Sequence, residues 1–305
     1  MNGIRVFLFP ALVLVTRSEQ DSSAIEAEAI RRVDQALTAW RADPEKDPDQ
    51  LEKWLVAAGK PASAYLCRII EGRPQDLPLE PLVMAVGRLG SSESVGTVCS
   101  VLSCPAPADR VAAVGALRLL FCSKCIPFLV AAVDDSDDSV AIVAEAALLG
   151  EKSSFAQVAR EVDKHWKAAK DKSRLARLLG QVATADAHER LLGFLDLPGD
   201  DSRVAALQGL YLLARPEDGE RVAVLLKGSS SVVVRKQACL FLGRVQHRPA
   251  VRELIELLRE TEAGLAANAH WALQRITGLK LKLDAGLWDE WWERSGKTLE
   301  GLSVR

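Results

Sequence analysis

One pattern constrains this chain more than any other: a helical-hairpin motif that recurs along most of its length. Each copy reads as a helix of small and apolar residues, a polar turn, and a second helix ending in leucines. The clearest copies are SVVVRKQACLFLGRV (231–245) followed by AVRELIELL (250–258), and DSRVAALQGLYLLA (201–214) followed by ERVAVLLKG (220–228). A unit this short cannot bury its apolar face alone, so copies stack on one another. The fold expected is all-α, an α-solenoid of stacked antiparallel helix pairs. Such a stack grows without a single core, which suits 305 residues of which 49% are hydrophobic and only 5% aromatic.

The first large apolar residue of each leading helix serves as an anchor. Val111, Val140, Leu175, Val204, Val234 and Leu265 recur with the period of helical-hairpin repeats, with one longer interval between Val140 and Leu175. The long interval reads as an insertion at KHWKAAKDK (164–172). Two turns beyond most anchors comes a leucine (Leu119, Leu148, Leu212, Leu242, Leu273), and one turn beyond several comes a small residue (Gly115, Ala144, Ala238, Ala269). These spacings place one stripe on one helix face, with small side chains where a neighbouring helix crosses closely. AIEAEAIRRVDQALTAW (24–40) also has helical spacing, but the front of the chain follows the repeat poorly. The organisation expected is a signal peptide over 1–23, an N-terminal helical cap or degenerate repeats over 24–76, the repeat array over 77–279 and a capping segment over 280–305.

VRKQACLFLG (234–243), DRVAAVGALRLL (109–120) and SVAIVAEAALLG (139–150) resemble the short HEAT-like repeats first described in phycobilisome lyases. Polar turns such as DDSDD (134–138) and PGDD (198–201) precede leading helices, as in that family. The resemblance covers about two-thirds of the chain and implies a HEAT-repeat fold; for activity it is unspecific. NAHWALQRITGLKLKLDAGLWDEWWERSGK (268–297) resembles the terminal segment of many bacterial HEAT-repeat proteins, in which a Trp-rich helix caps the stack. That resemblance implies that Trp288, Trp291 and Trp292, at i, i+3 and i+4 on one face, are buried on the last repeat. The alternative is an aromatic cage for a ligand.

A net charge of −2 disfavours a dedicated nucleic-acid binder, which needs a clustered basic surface. No apolar run reaches the length of about 18 residues that a membrane-spanning helix requires. The start resembles a secretory signal: one basic side chain in MNGIR, the apolar VFLFPALVLV (6–15), then the polar TRSEQDSS. Ser22-Ser23-Ala24 is the best cleavage site of the small-x-small kind. The chain is then exported, periplasmic or secreted; if the stretch is part of the fold, it is cytoplasmic.

Of six cysteines, four fall between positions 99 and 125. Cys122-Ser-Lys-Cys125 is a CxxC, but no βαβ pattern surrounds it, which removes a thioredoxin reading. The pair spans the turn between a leading and a trailing helix, with Cys99 near the same edge and Cys104 toward the other. Packed thiols, a Cys122–Cys125 disulfide, and metal or redox chemistry all remain open.

Other motifs fail on inspection. His165, His188, His247 and His270 are scattered, and there is no HExxH. His188-Glu189 is one His-Glu pair, where HEAT-like deoxyhypusine hydroxylases carry several, so that activity is not expected; both residues read as helix surface. Ser295-Gly-Lys-Thr298 would need a glycine at position 291, which is Trp291. The Asp134–Asp138 cluster lacks the glycine and distal glutamate of a calcium loop and reads as a solvated turn. No catalytic triad is visible, and neither a metal nor a cofactor is implied.

One polar pattern is left. Trailing helices usually line the concave face of HEAT stacks, and here they align Glu189-Arg190 with Glu220-Arg221, with Gln157 and Glu253 in the same column. This ladder either grips a partner or is ordinary solvated surface. The function expected is a non-catalytic, monomeric scaffold that binds a protein or peptide along that face. A chromophore-handling, lyase-like accessory and, further off, a nucleic-acid-binding HEAT protein are the alternatives.

Overall fold

The computed structural model describes residues 11–43, 47–228, 231–262 and 264–295. Among the described residues there are seventeen α-helices and no strand. The chain divides into two compact units, Met1–Leu148 and Leu149–Arg305. The first carries α1 (Ala11–Arg41), α2 (Pro48–Ala57), α3 (Ser63–Glu71), α4 (Leu79–Leu89), α5 (Val95–Val101), α6 (Pro107–Leu120), α7 (Ile126–Val133) and α8 (Asp138–Leu149). The second carries α9 (Phe155–Trp166), α10 (Lys172–Val182), α11 (Ala185–Leu195), α12 (Asp200–Leu213), α13 (Gly219–Gly228), α14 (Val232–Arg244), α15 (Val251–Leu257), α16 (Leu265–Thr277) and α17 (Ala285–Ser295).

The fold is all-α, built of stacked antiparallel helix pairs. In the first unit α2 packs on α4 and α4 on α6; in the second α10 packs on α12, α12 on α14 and α14 on α16. Odd-numbered helices return the chain and pack against the next even-numbered one, as α5 does on α6 and α13 on α14. Punctuation is local. The Asp171 carboxylate accepts from the backbone of Ser173 and Arg174 at the start of α10, and Thr184 Oγ1 accepts from Ala187 at the start of α11. Ala183 and Ala214 close α10 and α12 in the left-handed conformation, at φ 52° and 50°.

The buried register is more regular than the anchors imply. Leu117, Leu148, Leu179, Leu210, Leu242 and Leu273 are fully buried, and the intervals between neighbours agree to within a single position. One turn before each stands another fully buried side chain: Ala113, Ala144, Leu175, Ala206, Ala238 and Ala269. Leu119 and Leu212, expected in this stripe, are instead 47% and 41% exposed. The anchors Val111, Leu175 and Val204 fall late in the register, because the true leading positions of α6, α10 and α12 hold the polar Asp109, Asp171 and Ser202. The displacement at Leu175 is what makes the interval after Val140 look long, so there is no insertion. Trp166, inside the supposed insertion, is a core residue stacked on Phe194 with ring centroids 3.8 Å apart. Buried Val86 and Leu55 continue the same spacing toward the N-terminus.

Consecutive leading helices touch backbone to backbone. A Cβ on Gly180 would lie 2.8 Å from the Gly209 carbonyl oxygen, and one on Gly209 would lie 2.6 Å from that of Ala176. Only glycine permits that crossing without a shift. Polar groups follow the same period. Ser63 Oγ and Ser94 Oγ meet at 2.8 Å in a buried contact one repeat apart in the sequence.

At the front, α1 runs without interruption through the junction expected at 23/24, and the apolar stretch 6–15 lies partly outside the described residues. No helix is long and apolar enough to cross a membrane among the described residues. At the end, α17 packs on α15. Trp288 and Trp292 are buried and Trp291 is half-buried, edge-on to Trp288 at 5.7 Å. The Trp288 indole N–H donates to the Lys282 carbonyl at 3.0 Å.

Candidate functional site

The trailing helices of the second unit carry most of the residues singled out as a polar ladder, and the structure divides them. Arg190 of α11 pairs with Asp163 of α9 at 2.5 Å. Arg221 of α13 pairs with Asp196 at the end of α11 at 2.5 Å and donates to the Leu192 carbonyl at 3.1 Å. These two cations join one trailing helix to the previous one, and each such exposed pair is worth ~0–1 kcal/mol. Gln157 is half-buried on α9, and Glu189 is exposed.

Glu220 and Glu253 are brought together. They flank a groove of about 530 Å³ between α13 and the chain entering α15. One wall is Glu220, Ala223, Val224 and Lys227 of α13; the other is His247, Pro249, Ala250 and Glu253. Lys227 pairs with Glu253 at 2.9 Å, and Val224 is 67% exposed on the groove. A large exposed valine beside charged groups is a surface with an apolar floor and a polar rim.

His247 is the unusual member. Its side chain is only 10% exposed, and Nε2 is buried with no hydrogen-bond partner, 3.6 Å from Glu220 Oε1. The ring reaches this depth because α13 begins with Gly219, where a Cβ would meet Nδ1 at 2.1 Å. Burial lowers the His247 pKa from its ordinary 6.5 and outweighs Glu220 and Glu253, which push it up. Its Nε2 is a buried nitrogen left without a hydrogen bond beside a carboxylate at the wall of the groove. The sequence marked Glu220 and Glu253 but passed over His247 and Lys227. The one local signal was a histidine just before the Arg-Pro of a 3-10 turn, which is weak.

His188 is not a surface residue. It is 8% exposed, and Nε2 lies 2.9 and 2.8 Å from the two oxygens of Asp218, itself 4% exposed. Arg215 donates to Nδ1 at 3.0 Å, so Nδ1 accepts and Nε2 carries the proton given to Asp218. The ring is fully matched and ties α11 to the 3-10 turn Pro216–Asp218. The acidic turn at 134–138 is also partly internal. Asp135 holds Arg110, which is 9% exposed, through two bonds of 2.9 and 2.8 Å. In the first unit Cys122 and Cys125 are free thiols with Sγ atoms 3.2 Å apart. Among the described residues no group of three or more His, Cys, Asp or Glu is placed to hold a metal ion.

No protein-family model matches the sequence, and no curated protein does. Solved structures that it is similar to include human deoxyhypusine hydroxylase in complex with glycerol, at 15% identity over 88% of this chain and 100% of that one, with a TM-score of 0.33. The complex of CpcE and CpcF of phycocyanin lyase from Nostoc sp. PCC7120 is 18% identical over 83% of this chain and 92% of that one, with a TM-score of 0.30. An engineered protein is 18% identical over 75% and 71%, with a TM-score of 0.36. At these scores no activity or partner carries over.

Proposed function

We propose that this protein is a binding module that holds an extended segment of a protein partner in the groove between α13 and α15, around one basic side chain. The observation that carries this reading is His247 Nε2, buried beside Glu220 without a hydrogen bond. Charge supplies the rest. Glu220 and Glu253 are opposed by Lys227 alone, and His247 is held toward its neutral form, so the groove keeps one negative charge in excess. An incoming lysine or arginine matches that excess, while its methylenes lie on Ala223, Val224 and Pro249. Nucleic-acid binding, one of the alternatives raised by the sequence, gains nothing from this site, because its charge is the wrong sign for phosphate.

A phage-displayed library of random peptides, selected against the full chain, tests the reading. Peptides enriched in lysine or arginine are expected, and their binding is expected to fall at least tenfold in Glu220→Arg and in Val224→Asp. Enrichment of peptides without a basic residue, or binding unchanged in both variants, would sink it.

A further inference from the structure

The first unit holds a cluster of thiols that the groove does not explain. Cys122 and Cys125 lie on the turn between α6 and α7, which is closed by a hydrogen bond of 2.8 Å from the Cys125 N–H to the Cys122 carbonyl. Such a turn keeps its end Cα atoms within ~7 Å, and disulfides need Cα atoms ~4.4–6.8 Å apart. The side chains use that freedom, since the two Sγ atoms approach to 3.2 Å. The pair therefore already lies close to the geometry that a disulfide between them needs.

The two thiols differ in burial. Cys125 stands at the start of α7 and is fully buried, whereas Cys122 is half-buried. Burial and the Cys122 thiol push Cys125 up to about 12, so it keeps its proton in the resting site. Cys99, half-buried on α5, stands close enough that its charge and that of Cys122 would repel, and burial pushes it up to about 11. The other three cysteines have different surroundings: Cys67 is buried on α3, Cys104 accepts a hydrogen bond from Arg73, and Cys239 is fully buried on α14.

We infer that Cys122 and Cys125 are a dithiol–disulfide exchange site, acting on disulfides of small thiols or exposed peptide segments. Cys122 is the entry thiol and Cys125 the resolving thiol. Cys122 gives its proton to solvent, and its thiolate attacks one sulfur of the substrate disulfide. The substrate S–S bond breaks, a mixed disulfide forms on Cys122, and the first substrate thiolate leaves and takes up a proton. Cys125 then loses its proton, attacks Sγ of Cys122, closes the Cys122–Cys125 bond and releases the second substrate thiolate, which is protonated in turn. Two electrons pass from the protein dithiol to the substrate, which leaves as two thiols. The reverse sequence passes them back, so the direction is set by the thiol–disulfide balance around the protein. The high pKa of Cys125 opposes its attack, and the short approach to Cys122 offsets that once Cys122 carries the mixed disulfide.

The test uses the full reduced chain and oxidised glutathione, with quenching by iodoacetamide at set times and peptide mapping by mass spectrometry. The wild type is expected to release two glutathiones per chain and to yield a linked 122–125 peptide, which dithiothreitol reopens. Cys125→Ser is expected to stop with glutathione on Cys122 and one glutathione released. Cys122→Ser is expected to slow the reaction at least a hundredfold, and Cys99→Ser is expected to leave it unchanged. Circular dichroism confirms that each variant is folded, with Cys125→Ala as the substitute if the serine disturbs the buried site. The inference fails if wild-type Cys122 keeps its glutathione without closing, if the bond forms to Cys99 instead, or if Cys122 reacts only after unfolding in urea.

Discussion

Replacing Trp288 by alanine gives the sharpest test of how the end of the second unit is held. Trp288 is fully buried, and its indole N–H donates to the Lys282 carbonyl at 3.0 Å. A buried indole covers ~150–250 Å², and truncation of such a residue costs ~3–5 kcal/mol once the cavity is counted. The abandoned Lys282 carbonyl can reach water through the opened space, so its loss adds only ~1 kcal/mol at most. We expect about 4 kcal/mol in total, most of it transfer and cavity cost. In a stack of helix pairs this cost falls first on the neighbouring elements. Hydrogen exchange read by mass spectrometry should therefore show amides in α15 to α17 opening about three decades faster, with helices α10 and α11 little changed. Trp291→Ala is the control. Its ring is half-buried and touches Trp288 edge-on at 5.7 Å, so its removal should cost ~1 kcal/mol. If Trp288→Ala exchanges like the parent, the indole is not the keystone of α17, and a ligand-binding role for the tryptophans becomes the better account.

Ala183→Gly and Ala214→Gly should each stabilise the protein by up to ~1 kcal/mol in urea unfolding, because both alanines sit at positive φ (52° and 50°) where glycine is unstrained; destabilisation would show that the methyl groups pack. Gly209→Val should cost ~2–3 kcal/mol, since its first added carbon meets Ala176 O and Leu191 at 2.6 Å, whereas Gly96→Ala, with nothing near the added carbon, should gain ~0.5–1 kcal/mol. Equal effects at the two positions would refute the close crossing of α10 and α12. His247 has a folded-state pKa below its ordinary 6.5, so the unfolded chain takes up its proton first and stability is lost as pH falls through and below 6.5. In His247→Gln that acid loss should be smaller, as measured by urea midpoints at several pH values, and identical pH profiles would contradict the burial.

How much could be read in advance follows from which forces are local. The all-α class and the recurring helix pair were legible because helical spacing of Leu, Val and Ala is a property of each segment. The register of α6 and α12 was not. Val111 and Val204 look like better anchors than Asp109 and Ser202, yet the close crossings at Gly87, Gly180 and Gly209 decide which face turns inward. Burial of His188 depends on Asp218 and Arg215, which belong to the next repeat, so no window around the His-Glu pair reveals it. The ladder residues were found by their period, but whether each met a partner depended on the neighbouring helix. Arg190 and Arg221 are answered by Asp163 and Asp196, while Glu220 faces a histidine from the next turn. The sequence by itself determined helix content, period and the CxxC turn, because those rest on contacts within one or two helical turns. Tertiary packing alone decided which side chains were buried, which charges were matched, that His247 kept an unmatched nitrogen, and that Cys125 was enclosed while Cys122 stayed half-buried. Those outcomes require atoms from successive repeats, far apart along the chain, to arrive at the same place.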